Sequence, residues 1–309
     1  MAGALLTVLG ALLVSAGYGW ASDCNEMSPI VIVPGILGSQ LEAKLSKTKH
    51  TPHWYCAKNS DWFTMWLNVK ELLPGVVDCF SYNVMLHYDS ATDTYHDTEG
   101  VETRIPGFGN TSGIEYLDPH AEYYGATVYF HPMVQHFVDK GYERGKTIVS
   151  APFDWRYAPN LFEKQGYYAD LKALVEKTYA NGGNKRVVIV VHSMGAPVTL
   201  YFLTEIVDQE WKDKYLKAFV TVSGVWRGAA NALKAPVSGE NEGIVIDLAI
   251  WARATQRTYP STFFLGTLSV TNVAPGPGHH NHAEKKLQRL GLSGSLQRHR
   301  FPARLRHVS

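Results

Sequence analysis

Val187-Val188-Ile189-Val190-Val191-His192-Ser193-Met194-Gly195 is the stretch whose reading decides the fold. Five consecutive β-branched residues leave no polar face, the condition of a central strand in a parallel sheet covered on both sides. Residues 196–207 follow as an apolar helix, so Ser193 falls at the tip of a strand–turn–helix unit. In that context a serine reads as a nucleophile: the sharp turn lifts its hydroxyl clear of the sheet, and the helix N-terminus favours negative charge beside it. Gly195 lets the helix backbone approach the strand, whereas Val191, two residues before the serine, stands where glycine or alanine is commoner. A serine between strand and helix can also merely cap the helix; the all-apolar strand before it and the glycine after it favour the nucleophile.

Working outward, residues 30–33 form another β-branched run, halted by Pro34-Gly35 and read as the first core strand. Acyl chemistry at a serine needs two backbone donors for the developing oxyanion. The residue after the nucleophile, Met194, supplies one, and the turn 34–38 supplies the other, assigned by position to the Ile36 N–H. Pro-Gly-x-x-Gly by itself is also an ordinary turn. Further strands are expected at 147–151 and 219–222, and a helix at 167–179 closed by Asn181-Gly182-Gly183. The stretch 44–82 has no clean period but carries Trp54, Tyr55, Trp62, Phe63, Trp66 and Phe80, and it is expected to be a long covered or lid-like loop. The result is an α/β architecture: a mostly parallel sheet with helices on both faces.

A chain of 309 residues, 45% hydrophobic and 18% charged, can bury a sizeable core, and a net charge of +1 gives no general reason to bind nucleic acid. Residues 4–17 are apolar and short for a membrane span, so residues 1–21 read as a signal peptide, with an anchor or buried helix as the alternative. Export would allow Cys56 and Cys79 to pair and leave Cys24 as the odd thiol, the alternative being three free thiols. The sequon Asn110-Thr111-Ser112 lies among glycines and is a candidate glycan site on an exposed loop.

Several motifs together carry a resemblance. Residues 34–45 (PGILGSQLEAKL), 106–109 (PGFG), 151–156 (APFDWR), 192–203 (HSMGAPVTLYFL) and 211–219 (WKDKYLKAF) resemble, in order, the lecithin:cholesterol acyltransferase family, over about 28–265. The resemblance implies an α/β-hydrolase core with a cap, here beginning at about 235–265, and a serine acyl-enzyme at Ser193. It implies deacylation of glycerophospholipids without calcium or other cofactor, the acyl group passing to water or a lipid alcohol at a phospholipid membrane or lipoprotein surface. It implies a working place on the secretory route, in the lysosomal lumen or outside the cell. It implies too that Cys56 and Cys79 are bridged around a membrane-touching loop at about 46–80, with Trp62, Phe63, Trp66 and Leu67 facing lipid. Asp154, Trp155 and Arg156 are expected to be structural.

The catalytic acid and histidine should follow the serine in chain order. Asp208 and Asp213 fall before the next strand, and Asp247 lies in the expected cap, so none matches. Beyond Leu265 the composition changes: residues 266–309 hold seven Lys or Arg, one acid (Glu284), one aromatic (Phe301) and five of the thirteen histidines. His279, His280 and His282 sit in a Gly- and Pro-rich run, which favours a structureless tail over a metal or catalytic site. The expectation is a divergent tail in place of the later strands, and a chain with at most trace esterase activity, or one that binds lipid surfaces without catalysis.

Overall fold

The computed structural model describes residues 27–48, 50–120, 123–240 and 249–271. The signal-peptide reading, Cys24, Asp247 and the three tail histidines lie outside them. In chain order the elements are β1 (Ile30–Val33), β2 (Leu41–Ser46), β3 (Asn59–Trp66), α1 (Val77–Val84), β4 (Leu86–Asp89), β5 (Thr94–Asp97), β6 (Val101–Arg104), α2 (His131–Asp139), β7 (Ile148–Ser150), α3 (Tyr167–Asn181), β8 (Val187–His192), α4 (Gly195–Tyr201), α5 (Gln209–Tyr215), β9 (Leu216–Val222), α6 (Ala230–Ser238), α7 (Ala249–Gln256) and α8 (Pro260–Thr271).

The β-branched runs form one parallel sheet in the order β7-β1-β8-β9, with Val31 level with Val149 and Ile189, and Val191 level with Thr221. Side chains alternate between faces along a strand, and here each set meets its own core. Val31, Val33, Ile189 and Val191 pack with Leu171 and Val175 of α3 and Val198 of α4. Ile30, Ile32, Ile148 and Val190 pack with Val134 of α2 and Ile114. Helices therefore cover both faces, as an uninterrupted apolar strand requires. The expected elements stand within a few residues of their predicted bounds, the helix after the elbow passing from α into a π turn at Phe202–Ile206. β9 is an edge among the described residues, with Val220 and Val222 43% and 45% exposed.

The stretch read as a loop is mostly regular. β3 pairs with β2, which pairs with β6, in an antiparallel sheet, and α1 returns from it. β2 alternates in and out along its length, but register shifts at Leu41/Glu42 and Ala43/Leu45 put extra residues on β3 and break its alternation, so the stretch as a whole shows no period. The Cys56–Cys79 disulfide closes this segment. Two of its lipid-facing assignments are overturned: Trp66 and Leu67 are core residues, 6% and 7% exposed. The Trp66 ring meets Trp155 edge-on at 5.5 Å, its indole N–H donates to the Leu37 carbonyl at 2.9 Å, and the Leu67 N–H donates to the Leu117 carbonyl. Phe63 is half-buried against the same core, and Trp62 is half-exposed under the Arg104 guanidinium at 4.1 Å. The apolar side chains that do face solvent around the disulfide are Trp54, 92% exposed, with Tyr55, Leu73 and Val76.

Asp154, Trp155 and Arg156 serve the fold. The fully buried Arg156 guanidinium donates to Asp154 at 2.6 Å, pairs with Asp97 of β5 at 2.9 Å, and reaches Thr103 of β6 and the Val84 carbonyl of α1. Burial opposes its charge, but the two carboxylates outweigh that and hold it protonated. One side chain thus ties the antiparallel layer to the end of β7.

Candidate active site

Ser193 has φ +50, the left-handed conformation a tight strand-to-helix turn forces on its tip residue. Its N–H donates to the Val222 carbonyl of β9 and its carbonyl accepts from Ala196, so the backbone is held while the half-buried side chain stays reachable. A Cβ on Gly195 would lie 2.4 Å from the Pro34 carbonyl oxygen and 2.7 Å from that of Val33. The close approach falls on the helix side of the turn. Val191 therefore costs nothing where it stands, fully buried in the sheet core.

The turn after β1 presses against the elbow: a Cβ on Gly35 would lie 2.8 Å from the Ser193 Cβ. The turn is closed by Gly38 N–H donating to the Gly35 carbonyl at 3.1 Å, with Leu37 at φ +58. Among the described residues neither the Ile36 nor the Met194 N–H donates to a protein acceptor; Met194 follows Ser193 in the chain, and Ile36 follows Gly35, which packs against the Ser193 Cβ. Idle donors of this kind are what an oxyanion needs. A small open cleft, lined by Ile36, Leu37, Trp155, Ala232, Tyr259 and Leu265, lies beside this turn next to α6 and α8. Its walls are mostly apolar.

His192 sits beside the nucleophile, and burial lowers its pKa. Its Nδ1 lies 2.5 Å from the Tyr129 hydroxyl, which also accepts from the Gly35 N–H at 3.1 Å. Sequence reading had no signal for Tyr129, which is 63 residues from its partner. Burial raises its pKa far above the working range, so the hydroxyl keeps its proton.

The two aspartates that follow Ser193 and are described do not approach it. Asp208 caps α5, accepting from the Trp211 N–H at 2.7 Å, and Asp213 accepts from Gln209. α5 leads into the start of β9, whereas Ser193 lies at the opposite, carboxyl end of the sheet. No histidine follows Ser193 among the described residues, and the Ser193 hydroxyl has no hydrogen-bond partner there. Among those residues no cluster could hold a metal ion, and no helix is long and apolar enough to cross a membrane. Asn110 is exposed, with its Oδ1 accepting from the Thr111 and Ser112 N–H groups.

A parallel sheet with helices on both faces and a serine at the turn after a central strand define an α/β-hydrolase fold. The chain belongs to the lecithin:cholesterol acyltransferase family, which matches residues 62–277. It is 44% identical over 252 residues to the lysosomal phospholipase A and acyltransferase of Bos taurus, covering 81% of this chain and 60% of that protein. The Homo sapiens protein of that name is 43% identical over 246 residues, 79% of this chain and 58% of that one. The phosphatidylcholine-sterol acyltransferase of Gallus gallus is 40% identical over 238 residues, 77% and 55%. The chain thus spans about three fifths of the length of the relatives it matches.

Proposed function

We propose that the chain carries the nucleophile and oxyanion half of a phospholipid acyl-transfer site. The Ser193 hydroxyl attacks the carbonyl carbon of a fatty-acyl ester of a glycerophospholipid while the Ile36 and Met194 N–H groups receive the charge on the carbonyl oxygen; the ester C–O bond breaks and the lysophospholipid leaves with the serine proton. Water or a lipid alcohol then takes the acyl group from the acyl-serine and returns its proton to Ser193. The observation that carries this reading is the pair of unengaged N–H groups beside a serine at φ +50. The small cleft beside Ile36 supports the reading, because its walls are mostly apolar and it opens at the same turn. The relatives' names, a phospholipase A and acyltransferase and a phosphatidylcholine-sterol acyltransferase, support the substrate class. No cofactor enters the scheme.

The proposed partner is a phospholipid membrane or lipoprotein surface, met through the apolar residues around the Cys56–Cys79 bridge. Trp54, Tyr55, Leu73 and Val76 replace Trp66 and Leu67 in that role, since exposed aromatic and aliphatic side chains insert at the headgroup boundary. Trp62 can join them. The proposed compartment is the lysosomal lumen or the extracellular space, with a glycan on Asn110.

A second reading is that the chain binds lipid surfaces with at most trace turnover, and one observation favours it: no acid or histidine supports the Ser193 hydroxyl among the described residues. Fatty-acid release from anionic phospholipid vesicles separates the two. Release that disappears in Ser193→Ala establishes the first reading, and vesicle binding with no release establishes the second.

A further inference from the structure

We propose that Tyr129 is a positioning residue that locks the oxyanion turn to the nucleophile elbow through its hydroxyl. The inference rests on the reading of Ser193 as nucleophile and Ile36 as an oxyanion donor. Such donors act only if they are held within a fraction of an ångström of their target before reaction begins. The turn 35–38 does not hold itself well: it is four residues long and keeps a leucine at φ +58, a conformation unfavourable for a branched side chain. Its internal hydrogen bond, Gly38 to Gly35, fixes its curvature and not its placement. The Trp66 indole secures the Leu37 carbonyl from the side of β3.

The Tyr129 hydroxyl does something the Trp66 bond does not, because one oxygen touches both halves of the site. It accepts the Gly35 N–H, immediately before Ile36, and lies 2.5 Å from His192 Nδ1, immediately before Ser193. The direction of the Tyr129–His192 bond follows the imidazole tautomer: with the imidazole proton on Nε2, the hydroxyl accepts from Gly35 and donates to Nδ1. The Tyr129 ring fills the space under the turn, its Cε1 lying 2.8 Å from where a Gly38 Cβ would stand. The residue cannot drift, since its N–H donates to the Glu115 carbonyl at 2.9 Å and the Glu115 carboxylate is itself gripped by Arg144, His131 and Thr111. A movement of the turn relative to the elbow therefore breaks a partly buried hydrogen bond at one end or the other.

Tyr129→Phe removes the hydroxyl and keeps the ring, so it tests placement and leaves packing intact. The full chain is reacted with an alkyl fluorophosphonate, an acyl-transfer mimic whose phosphoryl oxygen uses the oxyanion donors, and the saturation constant KI is separated from the maximal rate kinact. Amide hydrogen exchange is measured on the segment 34–40 of the same proteins. Tyr129→Phe is expected to lower kinact about five- to tenfold, the scale of one neutral hydrogen bond, with KI changed less than about twofold. Exchange at Gly35 is expected to quicken. Tyr88→Phe, an exposed phenol on the β4–β5 hairpin, is expected to change neither. An unaltered kinact, or a loss carried entirely by KI, overturns the proposal. If the native chain takes no probe at Ser193, the nucleophile reading falls, and exchange alone decides the clamp: faster exchange in Tyr129→Phe upholds it, and equal exchange removes it.

Discussion

Gly195→Ala is the smallest change that strikes both the fold and the site. The new methyl carbon would stand 2.4 Å from the Pro34 oxygen, 0.6 Å inside the 3.0 Å limit real Cβ atoms respect, and 2.7 Å from the Val33 oxygen. Both obstacles are backbone atoms at the end of β1, so no side chain can rotate away. Helix α4 must move off the strand, and the elbow opens with it. Overpacking of a close-packed site costs roughly 1–3 kcal/mol, and an immovable backbone puts this case near the top of that range. The unfolding midpoint should fall by about 5–10 °C in a domain of this size. Gly125→Ala is the matched control, since a Cβ there meets nothing within 4 Å. Thermal unfolding and fluorophosphonate labelling of Ser193 are read together: Gly195→Ala should lose both stability and labelling, and Gly125→Ala neither. A Gly195→Ala protein with the parent's midpoint would refute the reasoning that strand and helix converge at that glycine.

Three further outcomes follow from other parts of the molecule. Replacing Cys56 and Cys79 together by serine opens a loop with a sequence separation of 23 and should cost about 3 kcal/mol by chain entropy; urea unfolding at the parent's midpoint would contradict this. Trp54→Ala should weaken binding to anionic vesicles and leave the unfolding midpoint alone, whereas Trp66→Ala should do the reverse, costing about 3–5 kcal/mol of core packing; a reversed pattern would restore Trp66 to the membrane face. Burial alone would raise the Glu115 pKa, but hydrogen bonds from Arg144, Thr111 and His131 outweigh it and the net shift is downward from 4.5. A depressed folded pKa gives stability that is present above 4.5 and lost as pH falls through the folded value. Glu115→Gln should therefore be less stable at about pH 6 and lose less on going to about pH 3; parallel losses in the two proteins would remove Glu115 from the acid response.

What was legible in the sequence follows the strength of local constraint. The strands β1, β7 and β8 could be read because burial on both faces leaves almost purely apolar runs, and β9 by its short run 219–222, although that strand is an exposed edge among the described residues. The elbow was legible because strand, turn residue and glycine are contiguous. β3 was not, because the extra residues it carries in its pairing with β2 break the alternation that marks a half-buried strand and that β2 keeps. The family resemblance places Trp66 in a membrane-touching loop but does not say which rings of that loop point inward, and the hydrogen bond to Leu37 that fixes this one spans 29 residues. The Tyr129–His192 contact spans 63 and left no local pattern.

The central claim is that Ser193 becomes acylated. The full chain is incubated with a short-chain phosphatidylcholine, quenched in acid, and its peptides mapped by mass. No base is positioned on Ser193 among the described residues, and a serine so placed acylates and deacylates slowly, so an acyl-serine, once formed, should persist long enough to be seen. The account predicts a fatty-acyl ester on Ser193, absent from Ser193→Ala. Release of fatty acid by a chain whose Ser193 is never acylated, or an acyl group found on another residue, would contradict it.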